Sequence, residues 1–312
     1  MADLLVRDLV IATEGRLSLA AMPPRDGDLL MLRCSTAIAA EVQPGNLFWA
    51  LSGPHEDGMQ HVEEAFARGA AGAVISGREI EPWPGKFTVA VDDVRVALWQ
   101  AAMHARSRFS GAVIGVAGNG PTVNVANFIQ QMLGSQLSGT SIAHNSCESD
   151  DAPALGLLNA HPSHDYVVLM LGDEQPTRLA QHCCPHVCVL TGGNGTTGLI
   201  SMLEALPDDG WAILNGDDPV LRSSAQGLPE STRVIWFGRE SQNDLVANSS
   251  FGEHAAAVLP ALALAKILNI SDLSAAAALA NVPSNADHTT LARVPLTAAW
   301  PLPSMVSGFA SH

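Results

Sequence analysis

Residues 110–133 read SGAVIGVAGNGPTVNVANFIQQML. AVIGVA is a short unbroken apolar run of the kind that fills a strand buried on both faces, GNGP is a turn, and TVNVANFIQQML spaces its apolar residues at helical intervals. Strand, glycine turn and helix in that order make the opening unit of a nucleotide-binding α/β domain, in which backbone N–H groups and the helix N-terminus face a phosphate. The stretch predicts an α/β fold with a mostly parallel sheet and places a domain boundary just before residue 110.

Downstream, DYVVLMLG (165–172), HVCVLTGG (186–193), GWAILNGDD (210–218) and RVIWFG (233–238) supply four more strand candidates separated by turns or helices. FGEHAAAVLPALALAKIL (251–268) and SDLSAAAALANV (271–282) read as helices, which closes a second domain at about residues 110–290 and leaves 291–312 as a linker or tail. Upstream, residues 1–109 form a small α/β domain of their own. VQPGNLFWAL (42–51) puts a Pro-Gly turn before a strand, and GMQHVEEAFARGA (58–70) is helical up to Gly69. AGAVIS (71–76) and FTVAVDD (87–93) are buried strands, and VRVALWQAAMHARSRF (94–109) is a helix with apolar residues at 94, 98, 99 and 102.

The length of 312 residues suits two such domains. Hydrophobic residues make up 47% of the chain and charged ones 15%, which excludes disorder as the bulk state and leaves apolar surface for a partner to cover. Sixteen Lys and Arg against 31 Asp and Glu give a net charge of −15, which excludes a broad basic face and so a nucleic-acid partner. No apolar run is long enough to span a membrane, and MADLLVRDLVIATEGR carries acids inside its apolar stretch, unlike a secretory leader. With five cysteines, an odd number, the expectation is free thiols in the cytoplasm.

The segments VQPGNLFWALSGPHEDGMQHVEEAFARGAAGAVIS, VIGVAGNGPTVNVANFI, LNGDD, WFG and FGEH, taken in order, resemble the Mur ligases of peptidoglycan synthesis, in particular the branch that adds D-alanyl-D-alanine. The resemblance implies an N-terminal UDP-substrate domain, a central P-loop-like ATPase domain, and ligation through an acyl phosphate that an amino group attacks. It also implies a C-terminal Rossmann-like domain, which is expected to be absent because the chain stops shortly after LTAAWPLPSM, a segment like the family's linker.

The family's phosphate loop reads G-x-x-G-x-N-G-K-T-T. Gly115, Gly118, Asn119, Gly120 and Thr122 match it as vestigial nucleotide-binding residues, whereas Pro121 stands at the lysine and Val123 at the second hydroxyl. Proline brings neither a cation nor an N–H, and no lysine lies between Lys86 and Lys266 to replace the loss. The family's magnesium carboxylate is matched by Met170, a soft thioether unsuited to a hard cation, with Asp173 and Glu174 just beyond it. The segment that carries a carbamylated lysine in many members, here TGGNGTTGLISMLEALPDDGW, contains no lysine. Asn215, Asp217 and Asp218 resemble the segment near the base and ribose, while the family's His-Asn pair reads His254-Ala255. The bland alternative for LNGDD is an Asx-rich turn ending a strand. In the first domain the family's S-T-D-S-R becomes Ser35-Thr36-Ala37-Ile38-Ala39, and its D-G-H becomes Asp57-Gly58-Met59. That leaves Ser35, Thr36, Asp57 and Gly58 as vestigial substrate-binding residues.

Other constellations carry less. HCCPHVC (182–188) has zinc-like residue types at poor spacing and reads as core thiols with surface histidines. His144, His161, His164 and His254 lack a nucleophile elbow nearby, and TGGNGTTG (191–198) reads as a turn. No catalytic residue and no metal ligand is assigned, and ATP and Mg²⁺ are doubtful ligands. The favoured function is a non-catalytic Mur-ligase homologue that binds cell-wall synthesis proteins or itself. The alternative is an active ATP-dependent ligase of UDP-muramoyl peptides, completed by a partner chain or by Arg178 with the acids at 173 and 174.

Overall fold

The protein is seen in a computed structural model that describes residues 5–20, 35–53, 57–134, 151–161, 163–171, 182–193, 197–246, 255–271 and 274–275. The chain divides into two compact units, Met1–Phe109 with Ala154–Pro162, and Ser110–Pro153 with Ser163–His312. The sequence reading of 110–290 as one continuous domain differs from this division at Ala154–Pro162.

The first unit opens with α1 (Val6–Thr13) and β1 (Arg16–Leu19), followed by β2 (Ser35–Thr36), β3 (Leu47–Trp49), α2 (Val62–Ala67), β4 (Gly72–Ser76), β5 (Phe87–Val91) and α3 (Val94–Arg108). Its sheet runs β1-β5-β4-β3-β2, parallel except for β1, which pairs antiparallel with β5. Phe48, Phe66 and Ile75 share one core cluster with Val62 and Ala65 of α2. α3 starts where the Asp93 carboxylate accepts the N–H groups of Arg95 (2.7 Å) and Val96 (3.0 Å), a cap worth about 1 kcal/mol. It buries Val94, Ala97, Leu98, Trp99, Ala101, Ala102 and Ala105, a helix with one broad face in the core.

The second unit contains β6 (Ala112–Ala117), α4 (Thr122–Gly134), β7 (Tyr166–Met170), β8 (Val187–Leu190), α6 (Thr197–Glu204), β9 (Trp211–Asn215), α7 (Pro219–Ser224), β10 (Arg233–Gly238), β11 (Leu245–Val246) and α8 (Ala255–Ile267). Between α4 and β7 the chain forms α5 (Ala152–Asn159), most of which groups with the first unit. The sheet order is β11-β10-β9-β8-β6-β7 and every pairing is parallel. All six residues of β6 are buried, as the unbroken apolar run predicts for a strand covered on both faces. α4 buries Val125, Ala126, Phe128, Ile129, Met132 and Leu133 and packs against α8. Buried side chains of this size each contribute roughly 1.5–3 kcal/mol relative to exposure.

The rest of the helix expected over 271–282 after Ala275, and the tail at 291–312, lie outside the described residues. No described helix is long and apolar enough to cross a membrane.

Candidate functional site

In the second unit β6 lies between β7 and β8, so the chain leaves β6 to one side for β7 and returns to its other side for β8. Parallel sheets bind ligands outside the carboxyl ends of strands where the winding reverses. Two glycine-containing loops meet there, Gly118–Pro121 after β6 and Thr191–Gly193 after β8. Gly118 has φ +114°, and a Cβ on it would lie 2.6 Å from the Gly192 carbonyl oxygen. A Cβ on Gly120 would lie 2.9 Å from Thr191 Cβ. Only glycine permits this approach of the two backbones.

Two N–H groups at the end of the first loop and the start of α4 are engaged within the chain. Gly120 N–H donates to Thr191 Oγ1 at 3.2 Å, and Thr191 Oγ1 donates to the Ala117 carbonyl at 3.3 Å. Thr122 N–H donates back to the Gly120 carbonyl at 2.8 Å. Pro121 has no N–H, and its carbonyl accepts the helical bond from Val125 at 3.0 Å. Asn119 and Thr122 sit at the loop and helix start as read, with the Asn119 side chain beside Gly192. Gly115 sits instead inside β6, paired with Leu169 and Cys188, where an added Cβ would come within 2.7 Å of Leu171 Cδ1. It makes room for sheet packing three residues before the loop.

LNGDD forms an interlocked turn at the end of β9. Asn215 Nδ2 donates to the Thr191 carbonyl (3.0 Å) and its Oδ1 accepts Asp217 N–H (3.1 Å). Asp218 caps α7 by accepting from Val220 N (2.8 Å) and Leu221 N (3.3 Å), and its other oxygen accepts Gly193 N–H at 2.8 Å. Asp217 accepts from Arg239 N (2.6 Å), Glu240 N (3.1 Å) and Asn243 Nδ2 (2.8 Å). Burial alone would raise the Asp217 pKa, but these donors and the Arg239 charge outweigh it and hold the carboxyl below its ordinary value. Arg222 completes the turn, donating to Gly216 O (3.0 Å) and Asn243 Oδ1 (2.6 Å) while its guanidinium lies 4.2 Å from the Trp236 ring centroid.

Gly120 and Thr122 spend their N–H groups internally, Pro121 has neither donor nor cation, and both carboxylates of the LNGDD turn accept from donors within the chain. Met170 ends β7 half-buried against the core. Asp173, Glu174, Arg178, His144 and His254 lie outside the described residues.

In the first unit Ser35 and Thr36 make up β2, which pairs parallel with β3, and Asp57 and Gly58 come between β3 and α2 in the chain. Thr36 Oγ1 accepts Ile38 N–H (3.1 Å) in a local turn, and Asp57 accepts Met59 N–H (3.0 Å) and the Ser52 hydroxyl (3.3 Å). A Cβ on Gly58 would collide with the Leu51 carbonyl, so glycine is needed for the fold of this turn. Ser35 is held by a residue that sequence reasoning missed. Its N–H donates to Asn159 Oδ1 (2.7 Å) and its carbonyl accepts from Asn159 Nδ2 (2.9 Å), with both residues buried. An open groove of about 730 Å³ also lies in this unit, at the carboxyl ends of β4 and β5, where Arg16 pairs with Glu79; none of the four substrate candidates lines it.

In HCCPHVC, Cys183 and Cys188 are buried and Cys184 is exposed at φ +41°. Burial pushes the Cys188 thiol up to about 12. His186 Nδ1 accepts Val113 N–H at 2.9 Å, which leaves the proton on its other ring nitrogen. Among the described residues no three His, Cys, Asp or Glu side chains converge to hold a metal ion. His161 and His164 both precede β7 in the chain and belong to neither loop.

No model of a known protein family matches the chain. It is 30% identical over 257 residues to the UDP-N-acetylmuramoyl-tripeptide–D-alanyl-D-alanine ligase of Synechocystis sp., covering 76% of this chain and 55% of that protein. It is 31% identical over 148 residues to a UDP-N-acetylmuramoyl-L-alanyl-D-glutamate–2,6-diaminopimelate ligase of Caldanaerobacter subterraneus, covering 41% and 30%. The chain thus spans about half, or less, of the length of these relatives. Among solved structures, MurF from Acinetobacter baumannii superposes with a TM-score of 0.70 at 17% identity, over 88% of this chain and 67% of that one. MurF ligase from Thermotoga maritima in complex with ADP superposes with a TM-score of 0.61 at 19% identity, over 84% and 66%. At these identities the likeness shows the fold, an α/β architecture with mostly parallel sheets.

Proposed function

Because the chain belongs to the Mur ligase family, we propose that it serves peptidoglycan precursor synthesis as a binding scaffold that does not activate carboxylates with ATP. The observation that carries this reading is Pro121 at the start of α4. It stands where the family resemblance puts the phosphate-neutralising lysine, in a stretch with no lysine from residue 87 to 265. Loss of such a contact costs several powers of ten in rate, at about 1.4 kcal/mol per tenfold. The internal use of the Gly120 and Thr122 donors and of both acids of LNGDD supports the same conclusion.

The test is calorimetric titration of the full chain with ATP and Mg²⁺ and with a UDP-muramoyl peptide, alongside a phosphate-release assay with D-alanyl-D-alanine. Silence toward ATP and no phosphate release are expected, together with association with a cell-wall synthesis enzyme or with a second copy in sizing experiments. Micromolar ATP binding coupled to phosphate release would establish the ligase alternative in its place. An inert monomer with no such partner would remove the scaffold role.

A further inference from the structure

We propose that the Thr191 hydroxyl is a latch that holds the glycine loop after β6 closed, occupying the position an oxyanion oxygen would take against Gly120 N–H. The inference deepens the non-catalytic reading and rests on it in one respect, that the unmodified chain is silent toward phosphates.

The Thr191 side chain joins the two ends of the loop. Its Oγ1 accepts from Gly120 N–H at 3.2 Å and donates to the Ala117 carbonyl at 3.3 Å, while Thr191 N–H donates to the same carbonyl at 3.0 Å. A phosphate cradle works by presenting successive uncommitted N–H groups at a helix N-terminus. At positions 120, 121 and 122 the first donor is spent on Thr191, the second does not exist, and the third is spent on the Gly120 carbonyl at 2.8 Å. The Pro121 block is covalent. The Thr191 block is one hydroxyl, and it is removable. Gly118 at φ +114° and Gly192 pack backbone to backbone beside it, so the closed loop is held from a second side. Asp218 anchors the Thr191 loop in turn by accepting Gly193 N–H at 2.8 Å. The latch therefore sits on a fixed support, and removing the hydroxyl releases Gly120 without unfolding the β8 loop.

The experiment compares the unmodified chain, Thr191→Val, Pro121→Lys and the double variant, with ADP and inorganic pyrophosphate as probes in calorimetric titration. The double variant is expected to bind at least about tenfold more tightly than Pro121→Lys alone, and Gly120 amide exchange is expected to speed up in Thr191→Val. Equal affinity of the two lysine variants, or silence of both, overturns the latch. Thr191→Ser, which keeps the hydroxyl, guards against a packing artefact: in the Pro121→Lys background it should match Pro121→Lys, and if it matches the valine double variant the latch is wrong. Binding of ADP by the unmodified chain would remove the premise that it is silent toward phosphates, while phosphate release remains the test of the non-catalytic reading. The latch would still be judged separately, by whether Thr191→Val leaves Gly120 exchange unchanged.

Discussion

Asp217 shows how a residue that the family resemblance assigns to a ligand can be committed to the fold. Its two oxygens take three donors, from Arg239, Glu240 and Asn243, and the carboxyl is held below its ordinary pKa. A group with a depressed folded pKa contributes stability that is present above its unfolded pKa and is lost as pH falls through the folded value. Asp217→Asn should therefore lower Tm at pH 7 by no more than about 2–4 °C, the shift expected of roughly 1 kcal/mol, because the site is solvent-exposed. Thermal unfolding at pH 7 and pH 3 should show the gap between variant and parent narrowing in acid, as the pH falls below the unfolded pKa toward the depressed folded one. A gap that stays constant would mean the ionised form is not what the donors favour. The thiols divide by the same logic of environment. Cys188, buried with its pKa pushed up to about 12, should resist a maleimide reagent at pH 8 in the native chain, while exposed Cys184 should react. Peptide mapping after brief labelling checks this, and modification of Cys188 before unfolding would contradict its burial.

Among the elements, the strands with four or more consecutive apolar residues were legible in the sequence because a sheet buried on both faces leaves an unbroken run. AVIGVA, YVVLM and WAILN became β6, β7 and β9. β2 and β11 were not legible, since two residues carry no period, and β1 reads as an ordinary polar edge. The glycine loop and the LNGDD turn were visible as residue types, but their internal bonding was not, because Thr191 meets Gly120 across 71 residues. Asn159 meets Ser35 across 124 and leaves no local signal. The amide of Asn159 acts as one rung of a strand on the outer edge of β2, accepting the N–H and donating to the carbonyl of the same residue. Asn159→Ala would leave both Ser35 groups buried without that partner. It should cost about 1–3 kcal/mol in urea unfolding, from the loss of two buried hydrogen bonds at about 0.5–1.5 kcal/mol each. The Ser35 amide should lose its protection in hydrogen exchange as well. A loss below about 0.5 kcal/mol would mean that the edge of β2 finds other partners.

Taken as a molecule, the chain builds its first unit from two separated pieces, since Ala154–Pro162 groups with Met1–Phe109. Ala154, Leu155, Leu157, Leu158 and Ala160 of this piece are each at most 5% exposed. Apolar area buried at roughly 25 cal/mol per Å² gives these five side chains a share in the stability of the unit they group with. The N-terminal piece alone, residues 1–109, should accordingly expose the surface that α5 covers and lose the rung on β2. Expressed alone, it should unfold at lower urea than the same unit within the full chain, or aggregate. A synthetic peptide spanning residues 151–162 should raise its midpoint when added in excess, because a ligand that binds only the folded state stabilises it by mass action. Replacing Asn159 with Ala in that peptide should abolish most of the gain, which separates the hydrogen-bonded rung from apolar burial. If residues 1–109 fold as stably alone as in the full chain, α5 is merely draped on a complete domain, and the boundary at residue 109 describes the folding unit better than the contacts do.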